Sequence, residues 1–123
     1  MKYGFLGVLL MLIGCSDSGL YEVSGKVTWG GKPVPAGWVI IEPDPAHGNT
    51  GPQSRAPIKD GVFRTQAGRG AIAGHVLISI EGFDGVYNPE NAMGKAIFSP
   101  YPTTAEFPRK TSTVDFDVPA SHK

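Results

Sequence analysis

Residues 74–82 restrict the fold more than any other stretch. Val76, Ile78 and Ile80 alternate there with His75, Leu77, Ser79 and Glu81. A period of two places apolar side chains on one face of an extended strand and polar ones on the other, which no helical stripe can satisfy. Residues 20–29 repeat the pattern, with Tyr21, Val23, Gly25, Val27 and Trp29 alternating with Glu22, Ser24, Lys26 and Thr28. No segment carries a helical apolar period long enough to define a helix. The 17 Gly and 11 Pro of the 123 residues punctuate short segments, as an all-β domain with many turns requires.

Further strands follow from the same reasoning. Gly30-Gly31-Lys32-Pro33 predicts a turn after the first strand. Residues 37–42 predict a second strand, with Val39 and Ile41 on one face and Trp38 and Ile40 on the other. Residues 43–57 carry Pro43, Pro45, Pro52 and Pro57 without periodicity and predict a loop. Asp60-Gly61 is a tight hairpin signal before residues 62–65, where Phe63 points inward. Gly68-Arg69-Gly70 predicts a turn, residues 86–102 a long loop, residues 103–107 a strand, and residues 112–118 a last strand. The last strand places Val114, Phe116 and Val118 inside and Asp115 and Asp117 outside. Seven or so short strands predict a Greek-key β-sandwich with a core of Val23, Val27, Val39, Ile41, Phe63, Val76, Ile78, Ile80, Val114, Phe116 and Val118.

The N-terminus has a different character. Met1-Lys2 is short and basic, residues 3–13 are nearly all apolar, and Gly14 and Cys15 follow. This is the three-part order of a secretory signal. The apolar run is shorter than the roughly 20 residues a helix needs to cross a bilayer. Leu12-Ile13-Gly14-Cys15, with the only cysteine of the chain, resembles the lipobox of bacterial lipoproteins. The resemblance implies a diacylglyceryl group on the Cys15 thiol, cleavage before Cys15, and acylation of the new amine. Two or more acyl chains give stable membrane anchoring. Ser16, where inner-membrane retention in enteric-type bacteria favours Asp, leans towards the outer membrane. The expected organisation is a lipoprotein signal peptide over 1–14, a lipidated tether over 15–19, a β-sandwich over 20–118 and a C-terminal tail over 119–123.

Cleavage before Cys15 leaves about 109 residues, enough for one domain. The 11 basic and 11 acidic residues balance, and without Lys2 they stand at 10 against 11. No basic stripe runs along the sequence, so nucleic acid is not an expected partner. No polybasic patch is expected to aid membrane attachment, which leaves that role to the lipid on Cys15.

The domain also resembles a family. Val23-Ser24-Gly25-Lys26-Val27-Thr28, Gly31-Lys32-Pro33-Val34-Pro35, Asp60-Gly61-Val62-Phe63, Ala73-Gly74-His75-Val76 and Asp115-Phe116-Asp117-Val118 fall in the order seen in carboxypeptidase regulatory-like domains. The resemblance spans about residues 20–118 and implies the transthyretin-like (prealbumin-like) sandwich found in many planctomycete-type lipoproteins. These motifs are turns and core positions, and in carboxypeptidases the domain is an accessory module that lends no catalytic residue.

Catalytic chemistry finds little support in the residues. His47, His75 and His122 are scattered in sequence, no cluster has metal-ligand spacing, and no Ser sits in a Gly-x-Ser-x-Gly elbow. Lipidation removes the one thiol. The transthyretin-like hydroxyisourate hydrolase uses His and Arg residues with a Tyr-Arg-Gly-Ser tail, whereas Ser121-His122-Lys123 stands here. Gly68-Arg69-Gly70 lacks the Lys-Ser/Thr and helix of a phosphate loop. Asp115 and Asp117, with Asp44 or Asp60, do not form an Asp-rich calcium loop and read as solvated acids that discourage edge pairing. Lys26 has no Asn on the last strand for an isopeptide bond. The expectation is no enzymatic activity, no cofactor and no metal.

Binding is the remaining role. Trp38 is the leading candidate, with Ile40 on its face and Trp29 at the end of the first strand. Two placements are open: Trp38 is exposed and available to a partner, or residues 43–57 or 84–102 fold over it. The functional expectation is a non-enzymatic, lipid-anchored lipoprotein of the cell envelope, on the periplasmic side or at the outer membrane, with an accessory or protein-interaction role. The alternatives are a carbohydrate-binding module using exposed aromatics such as Trp38, Trp29, Tyr87 and Tyr101, and a structural envelope spacer.

Overall fold

The alternating segments become strands, as their period demands. The computed structural model describes residues 19–123. The expected signal segment with Leu12, Ile13, Gly14 and Cys15, and residues 16–18 of the expected tether, lie outside the described residues. Eleven strand segments follow: β1 (Leu20–Tyr21), β2 (Val23–Trp29), β3 (Lys32–Pro33), β4 (Ala36–Pro43), β5 (Ser54–Lys59), β6 (Val62–Arg64), β7 (Ala71–Ile72), β8 (Gly74–Phe83), β9 (Ala96–Phe107), β10 (Ser112–Thr113) and β11 (Phe116–Val118). Seven of these have three residues or more. One 3-10 turn, Pro45–His47, is the only helical element among the described residues, none of which forms a helix long and apolar enough to cross a membrane. The fold is an all-β sandwich of curled, mainly antiparallel sheet.

The main sheet runs β10-β2-β6-β5-β4-β8-β9, with β3 and β11 also on β2, and β1 pairs with β7 separately. β10 and β11 lie parallel to β2, with Ser112 opposite Val23 and Val118 opposite Trp29. They are the two halves of the last strand expected from the sequence. The break falls at Val114 and Asp115, where the Lys26 amide donates to Asp115 Oδ1 at 2.9 Å. Gly25 makes the close crossing feasible, because a Cβ there would run into the Val114 carbonyl. Curling brings β9 and β10/β11 to either side of a groove of ≈ 440 Å³ lined in part by Tyr101, Thr103, Ala105, Val114 and Phe116.

Of the eleven expected core residues, ten are buried, and Val114 is half-buried against them. Val34, Ala56, Ile58, Ala71, Ala73, Phe98 and Phe107 are the other buried apolar residues among those described. Each large apolar side chain buried here favours the folded state by about 1.5–3 kcal/mol before entropy is counted. Asp60 (φ 52°) and Gly61 (φ 79°) take the left-handed turn conformation that a two-residue hairpin between β5 and β6 needs.

Two expected loops contain strand instead. The loop expected over 43–57 ends at Ser54, where β5 begins, and Pro57 sits within β5 opposite Trp38. β6 pairs with β5 only at Ile58 and Lys59, so the second edge of β5 is open beside Pro57, where a missing N–H is tolerated. The loop expected over 86–102 ends at Ala96, because β9 runs through Pro100 and Pro102. β9 lies at the edge of the sheet, where proline costs no ladder bond and blocks further pairing.

Candidate functional site

β4 divides its side chains as the alternation predicts. Val39 and Ile41 are fully buried, while Trp38 and Ile40 are half-buried on the outer face. Trp38 lies opposite Glu81 of β8, Ile40 opposite Ser79, and Glu42 opposite the exposed Leu77. Ile40 and Leu77 are therefore diagonal neighbours on one face. The Arg55 guanidinium from β5 stacks over the Trp38 ring, 4.2 Å from its centroid. Trp38 is thus neither fully covered by a loop nor fully free: a cation lies over its ring.

Trp29 belongs to a different environment. It follows Val27 in parity and packs against the core, its ring 5.4 Å from that of Phe98. Its Nε1–H donates to the His122 carbonyl at 3.0 Å. Residues 119–123 are docked on this end: Ser99 Oγ donates to the Lys123 carbonyl at 2.7 Å, and the His122 ring lies edge-on to Tyr101 at 5.0 Å. Trp38 and Ile40 share a face that Trp29 does not. Tyr101 is half-buried under the tail, whereas Tyr87 is 73% exposed in the connection between β8 and β9.

The histidines scattered in sequence are not all scattered in space. His47 and His75 stack with ring centroids 4.1 Å apart and an interplanar angle of 16°. Asp44, nearly buried, holds the pair from one side: His47 Nδ1 is 2.8 Å from its Oδ2, and the Ala46 amide donates to its Oδ1 at 3.0 Å. The hydrogen bond from His47, with help from the Ala46 amide and the charges of both histidines, holds the Asp44 carboxyl below its ordinary value against the opposing effect of burial. Glu106 faces His75 Nε2 at 3.9 Å. Asn49 clamps this corner, its Nδ2 donating to the Ala73 and His75 carbonyls at 2.9 and 2.8 Å. Among the described residues neither ring bonds a hydroxyl or thiol, and no group of three or more His, Cys, Asp or Glu could hold a metal ion. The corner therefore reads as a structural clasp of the 44–49 turn onto β8. The stack of residues 28 positions apart leaves no periodic trace in the sequence.

Asp115 and Asp117 are exposed, yet both serve the backbone. Asp115 accepts from the Lys26 amide, and Asp117 accepts from Thr28 Oγ1 at 2.5 Å and the Gly31 amide at 3.2 Å. Asp44 lies at the other end of the sheet, next to His75 at the start of β8. Asp60 is committed to the β5–β6 hairpin.

A cavity of ≈ 290 Å³ opens where β1 and β7 meet the start of β5. It is lined by Leu20, Pro52, Gln53, Ser54, Arg55, Thr65, Gln66, Arg69 and Gly70. Thr65, almost fully buried, accepts from the Val23 amide at 2.9 Å, which fixes this end of β2. Ser54 Oγ is buried without a hydrogen-bond partner. No family model, no curated protein and no solved structure matches this chain.

Proposed function

We propose that this chain is a lipid-anchored lipoprotein of the bacterial cell envelope, without catalytic activity, whose transthyretin-like sandwich binds an envelope protein through the sheet face around Trp38. The anchor rests on the signal-like N-terminus and on the lipobox resemblance at Leu12-Ile13-Gly14-Cys15. The observation that carries the binding role is the outer face of β4 and β8, where half-buried Trp38 and Ile40 adjoin exposed Leu77. An aromatic anchor flanked by aliphatic groups, a guanidinium and a carboxylate suits the centre of a protein interface.

The glycan-binding alternative needs a free aromatic face for a sugar ring. Arg55 lies over one face of the Trp38 ring, which favours a protein partner over a sugar at this position. Tyr87 is the aromatic best exposed for the glycan reading. A purely structural spacer would have no use for an apolar patch on its outer face.

Photo-crosslinking in cells, from a photoreactive residue at position 38, tests the proposal. A discrete adduct with one envelope protein is expected. An adduct with glycan would move the reading to a carbohydrate module. A clean absence of adducts would sink the binding face and leave the spacer.

A further inference from the structure

The fold gathers cations that the sequence disperses. All four arginines of the chain, Arg55, Arg64, Arg69 and Arg109, are exposed, as is Lys110. Antiparallel pairing brings them to one end of the sandwich. Arg64 pairs with Ser24 near the start of β2, Arg55 stands near the start of β5, and Arg69 is in the turn before β7. Arg109 and Lys110 occupy the turn that leads into Ser112, opposite Val23. Among the described residues none of the five cations makes an ion pair.

Four acids, Glu22, Glu42, Asp44 and Glu106, stand at this end as well, three of them with contacts of their own. Glu22 accepts from the Gly68 amide, Asp44 holds His47, and Glu106 faces His75, which leaves Glu42 exposed near the end of β4. No acid lines the cavity. Its polar lining residues are Arg55, Arg69, Gln53, Gln66, Ser54 and Thr65; the Arg55 guanidinium reaches over the Trp38 ring, and the Ser54 hydroxyl is buried without a partner. Arg64 lines a further groove together with Glu22, Ser24 and Thr111. Forked guanidiniums and amide donors are groups that bind phosphate oxygens.

Chain length says which phosphate is in reach. Leu20 lines the cavity and stands five residues after Cys15. Five extended residues span at most about 18 Å. The opposite end of the sandwich lies further away by the length of β2, about 20 Å. A lipid on Cys15 therefore keeps the arginine end beside the headgroups, within or close to the Debye length of about 8–10 Å at which their charge is felt.

We infer that this cavity and its surrounding arginines form a seat for the phosphate of an anionic membrane lipid, so that the domain stands on the bilayer in one orientation with the Trp38 face presented sideways. The inference rests on the lipoprotein reading above. The basic patch complements the lipid anchor as a second membrane signal, since one attachment point fixes position but not orientation.

The test uses the full chain as processed in a bacterial host and reconstituted into vesicles. Intact mass first reads the lipid on Cys15; a mass without it overturns the lipoprotein reading and this inference with it. The lipidated chain then goes into phosphatidylcholine vesicles with or without about a quarter phosphatidylglycerol. Arginine modification by phenylglyoxal is followed at Arg55 and Arg69 by peptide mass, with amine labelling of Lys95 as the far-end control. The expected result is about fivefold slower modification of Arg55 and Arg69 in the anionic vesicles. Lys95 is expected to be unchanged, and the protection of Arg55 to weaken in the exposed-turn variant Arg69→Gln. Equal modification in both vesicles overturns the inference while leaving the anchor intact. Equal protection by free glycerol phosphate over phosphatidylcholine would identify a soluble-anion site and overturn the membrane assignment.

Discussion

The two tryptophans show how differently one residue type is used at two places in this sandwich. Trp29 closes the end of β2: its ring meets Phe98, its Nε1–H is satisfied by the His122 carbonyl, and the 119–123 segment folds over it. Trp38 stands on the outer face with a guanidinium above it and aliphatic neighbours beside it. The first is part of the architecture, and its polar edge is consumed within the molecule. The second retains exposed apolar surface, which is the property an interface anchor requires.

Substitutions should separate the two. The largest effect is expected from Trp29→Ala, which opens the β2 end and releases the tail; about 2–3 kcal/mol of stability and roughly 10 °C in Tm should be lost by thermal denaturation. A loss as small as that of an exposed residue would make the two sites equivalent and break the comparison. Trp38→Ala should cost only about 1 kcal/mol, because it removes a cross-strand contact on a half-exposed face. In this variant, cross-linking to the proposed envelope protein from a photoreactive residue placed at Ile40 should disappear while the fold persists by circular dichroism. Arg55→Gln should cost about 0.5 kcal/mol and shift only the Trp38 emission, read in the Trp29→Phe background. The smallest effect sharpens the contrast from a third position. Because the folded Asp44 carboxyl is held below its ordinary value, its contribution to stability is complete above about pH 4. That contribution is lost as pH falls through the depressed value, and Asp44→Asn should flatten this part of the acid denaturation curve without changing the emission of either tryptophan at neutral pH.

Parity along a strand was the most readable property of the sequence. It placed Val39 and Ile41 inside and Trp38 and Ile40 outside, and the same parity puts Trp29 with Val23 and Val27 rather than with Trp38. Grouping Trp29 with Trp38 by proximity ignored that β2 and β4 are not adjacent in the sheet. Prolines mislead a purely local reading. Pro57, Pro100 and Pro102 mark loops when read locally, yet each sits in a strand with an unpaired edge, and edge status depends on pairings that local sequence does not contain. The His47–His75 stack and the convergence of Arg55, Arg64, Arg69 and Arg109 are products of topology. No linear window contains either group, which is why the absence of a basic run in the sequence coexists with a basic end in the fold. The hydroxyl of Ser54 was equally invisible, since its lack of a partner depends on what the other strands bring to it.

The parallel placement of β10 and β11 on β2 has a mechanical consequence. The chain enters the sandwich beside Val23 and reaches Val118 at the opposite end of the same pair of strands. A pull on the chain before Val23 resisted near Val118 therefore runs along these strands and loads their ladder in shear. Bonds loaded this way must fail together, whereas a hairpin pulled at its open end unzips one bond at a time. A domain wired in this way resists a pull applied between the start of β2 and the end of β11.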